Sequence, residues 1–269
     1  MKSWLLGDGR RLAYREAGEG RPLVLLHGWS MSSAVFTEAL RALEGDFRLL
    51  VPDLRGHGAS DPGNAYGLDD FAGDLRHWLD GLGVDGFDLL GWSLGGQVAL
   101  RLGSLSGNRL GKLLLVAATP CFVAREGWTA GLPAGQVKAM TRGLRRRYRE
   151  TLDEFFAGQF LKDEVSPARM AEIRAFVAPV VDDETAAAPI LAALETLQAT
   201  DMREELGAVK VPTLVLHGEG DGIIPVDAGR YLADRLPLGR FVGFEDTGHA
   251  PFLSRPERCF ELIRGFCRP

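Results

Sequence analysis

At 269 residues, with 46% hydrophobic and 25% charged residues, the chain is long enough for one large domain with a well-buried core or one domain carrying an insertion. A formal net charge of −5 argues against a nucleic-acid partner. The longest run free of polar residues and proline, LLLVAA at 113–118, falls far short of the roughly 20 residues that span a bilayer.

In chain order, MKSWLLGDGRR has neither an apolar core nor a small-residue cleavage site, so we expect no secretory signal and a cytoplasmic protein. SWLLGDG followed by RRLAYREAG reads as an opening hairpin turned at Gly7-Asp8-Gly9. PLVLLHG (22–28) is a continuous apolar run of the kind buried on both faces of a parallel sheet. Comparable runs follow at FRLLVPDL (47–54), FDLLG (87–91), KLLLVAA (112–118), PTLVLHG (212–218) and RFVGFED (240–246). LDDFAGDLRHWLDGLG (68–83) and LGGQVALRLGSL (94–105) carry helical periodicity between them. This alternation predicts a mostly parallel α/β sheet flanked by helices, with right-handed crossovers.

From about Pro120 to Leu206 there is no strand-like run, only helical patterns broken at Pro133, Pro167, Pro179 and Pro189. That stretch is too long for a loop in a compact domain. We expect a helical cap at 120–206, inserted between two sheet strands of a core formed by 1–119 and 207–269, and lying over one edge of the sheet. Cys121, Cys259 and Cys267 sit at no metal-ligand spacing. The last two fall in one predicted helix about 12 Å apart, too far to bridge. Buried, reduced thiols are the expectation.

Gly91-Trp92-Ser93-Leu94-Gly95 matches G-x-S-x-G, with a strand before it and a helix after. Such a turn forces its middle residue into a strained conformation, and the flanking glycines let strand and helix approach. Ser93 would stand at the carboxyl end of the sheet, where open α/β folds place their chemistry. A serine nucleophile needs a base, and the chain has five histidines. His27 ends a strand before the nucleophile, His57 lies in the turn RGHGAS, His77 sits on a helix beside Trp78, and His217 ends the strand TLVLHG. Structural or exposed roles suit these four. His249, in EDTGHAPF just beyond the last strand, remains as the base. Asp221, in HGEGDGIIP, is the acid expected to orient it, with Glu219 and Asp246 as rivals. The order Ser93, Asp221, His249 is nucleophile, acid, base. The backbone amides of Trp29, in HGWS, and Leu94 would form the oxyanion corner. No nucleotide-binding glycine motif and no metal-ligand spacing is present, and this chemistry needs no cofactor.

LLHGW, PDLRGHGAS, GWSLGG, HGEGDGIIP and GHAPF, in that order, resemble the landmarks of the α/β-hydrolase superfamily from end to end. GWSLGG, TPCFVAREGW (119–128), LETLQATDMREEL (194–206) and GHAPFLSRPE together resemble the pimeloyl-acyl-carrier-protein methyl ester esterases of biotin synthesis. The resemblance implies a cytoplasmic, monomeric carboxylesterase with a helical cap, which demethylates an acyl ester still attached to its carrier. It also implies an acyl pocket lined by Trp29, Trp92, Leu94 and the stretch Phe155–Gln159, including Phe156. That family grips its acidic carrier through cap arginines. Here VKAMTRGLRRRYRETLDEFF reads as one helix, with Lys138, Arg142, Arg145 and Arg149 on a stripe opposite Val137, Met140, Leu144 and Tyr148. That stripe would dock an acidic acyl carrier protein, or else be an ordinary solvated helix face. Glu150 and Glu154 depart from the family pattern, standing where it has arginines. Other readings of the same triad are a short-chain esterase or lactonase and a carbon–carbon bond hydrolase. A non-catalytic ligand receptor is the reading from outside enzymology.

Overall fold

The computed structural model describes residues 1–177 and 187–268, so Pro179 lies outside the described residues. Eight strands form one sheet: β1 (Lys2–Leu5), β2 (Arg11–Ala17), β3 (Pro22–Leu26), β4 (Arg48–Pro52), β5 (Phe87–Trp92), β6 (Leu110–Val116), β7 (Thr213–Gly218) and β8 (Gly239–Phe244). Their order is β1-β2-β4-β3-β5-β6-β7-β8. β1 and β2 form the antiparallel hairpin, β2 pairs antiparallel with β4, and all the other pairings are parallel.

The continuous apolar runs are explained by burial on both sheet faces. Val24, Leu26, Leu50, Leu89, Leu113, Leu115 and Val215 face one core. Their immediate neighbours Leu23, Leu25, Leu49, Val51, Leu90, Leu114 and Leu214 face the other. Full burial of each such side chain contributes about 1.5–3 kcal/mol, so a polar residue is costly at any of these positions. The first face is covered by α2 (Leu68–Gly81), α3 (Leu94–Ser106) and α8 (Val226–Arg235). The second is covered by α1 (Thr37–Leu43), α9 (Pro251–Ser254) and α10 (Pro256–Cys267). In α2, Phe71, Leu75, Trp78 and Leu79 make the buried stripe, and the Asp70 carboxylate accepts the Gly67 N–H at 2.9 Å to close the first turn. His77, on the opposite side, is exposed.

Cys259 and Cys267 do lie in one helix, α10, and with Cys121 they are free and buried. Burial pushes the Cys259 and Cys267 thiols up to about 12, so thiolate chemistry is closed to them at neutral pH.

Between β6 and β7 the chain forms α4 (Ala134–Arg146), α5 (Tyr148–Ala157), α6 (Pro167–Val177) and α7 (Ala187–Ala199). Pro133 caps α4, Pro167 opens α6 and Pro189 is the third residue of α7. Pro133 and Pro167 therefore sit where an amide would lack an intrahelical partner. Two expectations are corrected. Residues 137–156 are two helices rather than one, because Arg147 (φ −144°, ψ 61°) breaks the path. Lys138, Arg142 and Arg145 share the exposed side of α4, while Arg149 belongs to α5. The segment also lies over the carboxyl ends of the strands, not over a sheet edge. Pro189 packs on Gly56 after β4, the Ile190 carbonyl accepts the Trp29 indole N–H after β3 at 2.8 Å, and the Gln159 carbonyl accepts the His249 N–H after β8 at 2.7 Å.

Candidate active site

Ser93 is the single residue between β5 and α3, and it holds φ 56°, ψ −117°, a conformation few non-glycine residues adopt. Its amide donates to the Val116 carbonyl at 3.0 Å, and its own carbonyl accepts from Gly96 at 2.8 Å, so the turn is pinned from both sides. The glycines around it are steric requirements. A Cβ on Gly91 would stand 2.2 Å from the Gly95 carbonyl oxygen, and one on Gly95 would stand 2.3 Å from the Leu26 oxygen. We expect Gly95→Ala to destabilise the protein by about 1–3 kcal/mol through overpacking, read as a fall of several degrees in Tm. An unchanged Tm would mean that strand and helix separate freely at this point.

Asp221 lies in the loop after β7, and its carboxylate is fully buried. Oδ1 accepts the Ile223 and Ile224 amides at 2.8 and 2.9 Å, and Oδ2 faces His249 Nδ1 at 2.7 Å. Burial alone would raise this carboxyl. The charge of His249, with hydrogen bonds from His217 and His249, outweighs burial and holds the carboxyl well below the usual range. Asp221 is therefore an ionised acceptor for an Nδ1–H of His249, and a neutral imidazole in that tautomer carries its lone pair on Nε2. Glu219 and Asp246 make no such contact with His249.

Trp92 ties the His249 loop to the serine turn. Its indole N–H donates to the His249 carbonyl at 2.9 Å, and its ring sits 5.6 Å from the imidazole. On the other side of Ser93, a Cβ on Gly28 would lie 3.2 Å from the Ser93 Cβ, so the HGWS corner borders the serine directly. Ser30 in that corner is also strained, at φ 60°. Among the described residues neither the Trp29 nor the Leu94 amide donates a hydrogen bond, so both remain available. Among the described residues Ser93 Oγ makes no hydrogen bond, and the His249 ring is bonded to Asp221.

The other histidines are accounted for. His27 Nδ1 faces the Gly28 carbonyl at 2.8 Å, and Nε2 accepts the Leu54 amide at 2.9 Å. Burial lowers its pKa. His57 Nδ1 faces the Arg55 carbonyl at 2.9 Å, and burial beside His27 pushes it down to about 3. His217 Nε2 meets the Ile224 carbonyl at 2.9 Å and also stands 3.2 Å from Asp221 Oδ2, a second imidazole contact to that carboxylate that its place at a strand end did not foretell.

The residues expected to line an acyl pocket are not all brought to one wall. Phe155 meets Trp29 edge-on at 4.9 Å, whereas Phe156 packs with Phe160 beneath the Arg174 guanidinium on the other side of α5. Trp29, Trp92 and Leu94 are almost wholly buried, and Gln159 is buried with its side-chain amide unpartnered. A cavity of about 360 Å³ borders the Trp29 corner, with Ser30, Met31, His57, Tyr148, Leu152 and Ile190 in its walls. Among the described residues no group of three or more His, Cys, Asp or Glu could hold a metal ion, and no helix is long and apolar enough to cross a membrane.

Comparison with known proteins agrees with this architecture. A family model described as the alpha/beta hydrolase fold matches residues 21–256. The chain is 38% identical over 249 residues to a pimeloyl-[acyl-carrier protein] methyl ester esterase of Nitrosomonas europaea, covering 91% of this chain and 96% of that protein. It is 36% identical over 254 residues to the like-named protein of Aromatoleum aromaticum, covering 91% and 98%. Among solved structures, an esterase from Exiguobacterium antarcticum superposes with a TM-score of 0.90 at 27% identity over 98% of both chains.

Proposed function

Because the chain belongs to the α/β-hydrolase fold family, as a hydrolase acting on ester bonds, we propose that it is a serine carboxylesterase that removes the methyl group from an acyl ester carried on an acyl carrier protein. The pimeloyl chain is the proposed acyl group, in agreement with the names of its relatives. What carries the chemistry is the buried Asp221–His249 pair beside the strained turn that presents Ser93.

In this reading Ser93 Oγ attacks the ester carbonyl carbon while His249 Nε2 takes its proton. The carbonyl oxygen becomes an oxyanion facing the Trp29 and Leu94 amides, and one such donor contributes roughly 10²–10³ in rate. Collapse expels the methoxy group, which leaves as methanol with the proton from His249. His249 then deprotonates a water that attacks the acyl-enzyme, releasing the carboxylic acid and returning the proton to Ser93. Asp221 keeps its charge throughout and stabilises the imidazolium. Residues 120–206 serve as a cap over this site, and Trp29, Trp92, Leu94, Phe155 and Gln159 are the proposed surroundings of the acyl end, whereas Phe156 is turned away to Phe160.

Incubating the protein with pimeloyl-carrier methyl ester, and separately with a free short-chain methyl ester, tests the substrate. Loss of one CH₂ from the carrier species, seen by mass spectrometry and absent with Ser93→Ala, is the expected result. Hydrolysis of the small ester alone would retire the carrier assignment and leave a short-chain esterase.

Lys138, Arg142 and Arg145, exposed along α4, supply a surface for an acidic carrier. Reversing the three to glutamate should raise KM for the carrier-bound ester by about tenfold or more at low salt, with little change for the small ester. Equal losses on both substrates would instead indicate a damaged helix.

A further inference from the structure

We infer that Glu164 is a positioning residue for the catalytic base, through a turn at 159–164 that holds the loop bearing His249. This rests on the proposed role of His249. The turn is closed by the Glu164 amide donating to the Leu161 carbonyl at 3.2 Å and by the Glu164 carboxylate accepting the Leu161 amide at 2.6 Å. That same carboxylate oxygen, Oε2, accepts the amide of Gly248 at 2.9 Å. One residue on, the His249 amide donates to the Gln159 carbonyl at 2.7 Å. Two consecutive amides of the base loop thus end on acceptors from one turn of the helical segment.

The contact leaves no room for adjustment. A Cβ on Gly248 would stand 2.4 Å from the Gln159 carbonyl oxygen and 3.0 Å from Glu164 Oε2. Leu161, in the same turn, fills the space where a Cβ on Gly220 would be, 2.6 Å away, and so also touches the loop of Asp221. Arg255 grips the far side of the base loop, donating to the Asp246 carbonyl at 3.1 Å and to the Glu164 carbonyl at 3.3 Å.

The chemistry of Glu164 points the same way. Among the described residues no cation pairs with its carboxylate, and Oε1 is buried without a partner. A carboxylate in such a place is held chiefly by charge-assisted bonds from backbone amides, and one of its two amide donors belongs to the base loop. Loss of that acceptor lets Gly248 relax and turns the imidazole away from Ser93. Misplacement on the ångström scale costs up to about 100-fold in rate.

The test compares wild type, Ser93→Ala, Glu164→Ala and Glu164→Gln on a small soluble ester, with kcat expressed per serine titrated by a fluorophosphonate (per protein for Ser93→Ala) and the low-field proton of the His249 Nδ1–H followed by NMR. Glu164→Ala is expected to lose about 10- to 100-fold in kcat, with KM within about twofold and the low-field resonance broadened. Glu164→Gln, which keeps an oxygen for both amides, should restore both kcat and the resonance. Wild-type kcat in Glu164→Ala, or equal losses in the two variants, would overturn the inference. If Glu164→Ala does not fold, Glu164→Asp, whose shorter reach withdraws from Gly248, replaces it under the same criteria. Activity unchanged in Ser93→Ala would instead remove the functional reading beneath it.

Discussion

Replacing Ser93 with alanine should lower kcat for ester hydrolysis by about 10⁶, to the residual rate that binding and the oxyanion corner alone provide. The residue is 7% exposed and set by its backbone rather than by side-chain packing, so the substitution removes one oxygen without opening the core. The turn keeps its amide bond to Val116 and its close glycines, so Tm and circular dichroism should stay near those of wild type. A p-nitrophenyl ester gives the readout, with the burst of acylation disappearing along with the steady state. A variant within tenfold of wild type would eliminate nucleophilic catalysis by Ser93.

Asp221→Asn should cost about 10⁴ in kcat while leaving most of the fold in place. The amide oxygen can still accept the Ile223 and Ile224 N–H groups that hold the loop. Its NH₂ would then face His249 Nδ1, where the carboxylate accepted a proton-bearing nitrogen at 2.7 Å. The imidazole must then hold its proton on Nε2, the nitrogen that has to receive one from Ser93. His217 Nε2, 3.2 Å from the same Oδ2, would meet a second donor there, which adds a stability cost absent from a simple triad. The check is kcat per titrated serine, with thermal unfolding measured in parallel. Activity within tenfold of wild type would mean that Asp221 neither orients nor charges the base.

Much of this was legible in the chain because the signals were strong and local. Runs such as PLVLL and LLLV can be continuous only if both faces of a strand are covered, and Leu23 to Leu26 do alternate between the two cores. Ser93 was marked by glycines that the structure shows to be sterically required. Elimination among the five histidines and the chain order point to His249 and Asp221, and the two side chains lie in contact. Other features left no local mark. Arg147 is as good a helix former as its neighbours, so nothing in RGLRRRYRE announces the break that moves Arg149 to a second helix. The divergence of Phe155 and Phe156 follows from how α5 is wedged between two cores, which periodicity alone does not determine. The contact of Glu164 with Gly248 joins residues 84 positions apart through a backbone amide, which any residue but proline possesses.

β6 and β7 are neighbours in the sheet, and residues 120–206 leave from one and return to the other. A segment attached this way can be exchanged for another of different length without re-threading a single strand. On the proposed reading, such an exchange changes what covers the Ser93 turn and leaves the strands that carry Ser93, Asp221 and His249 as they are. The exchange is not unconditional, because the His249 amide finds its acceptor in the Gln159 carbonyl, within the exchanged part. A transplant that keeps the His249 loop as it stands must therefore bring an acceptor to the same point, so recombination at this junction is screened by one backbone bond.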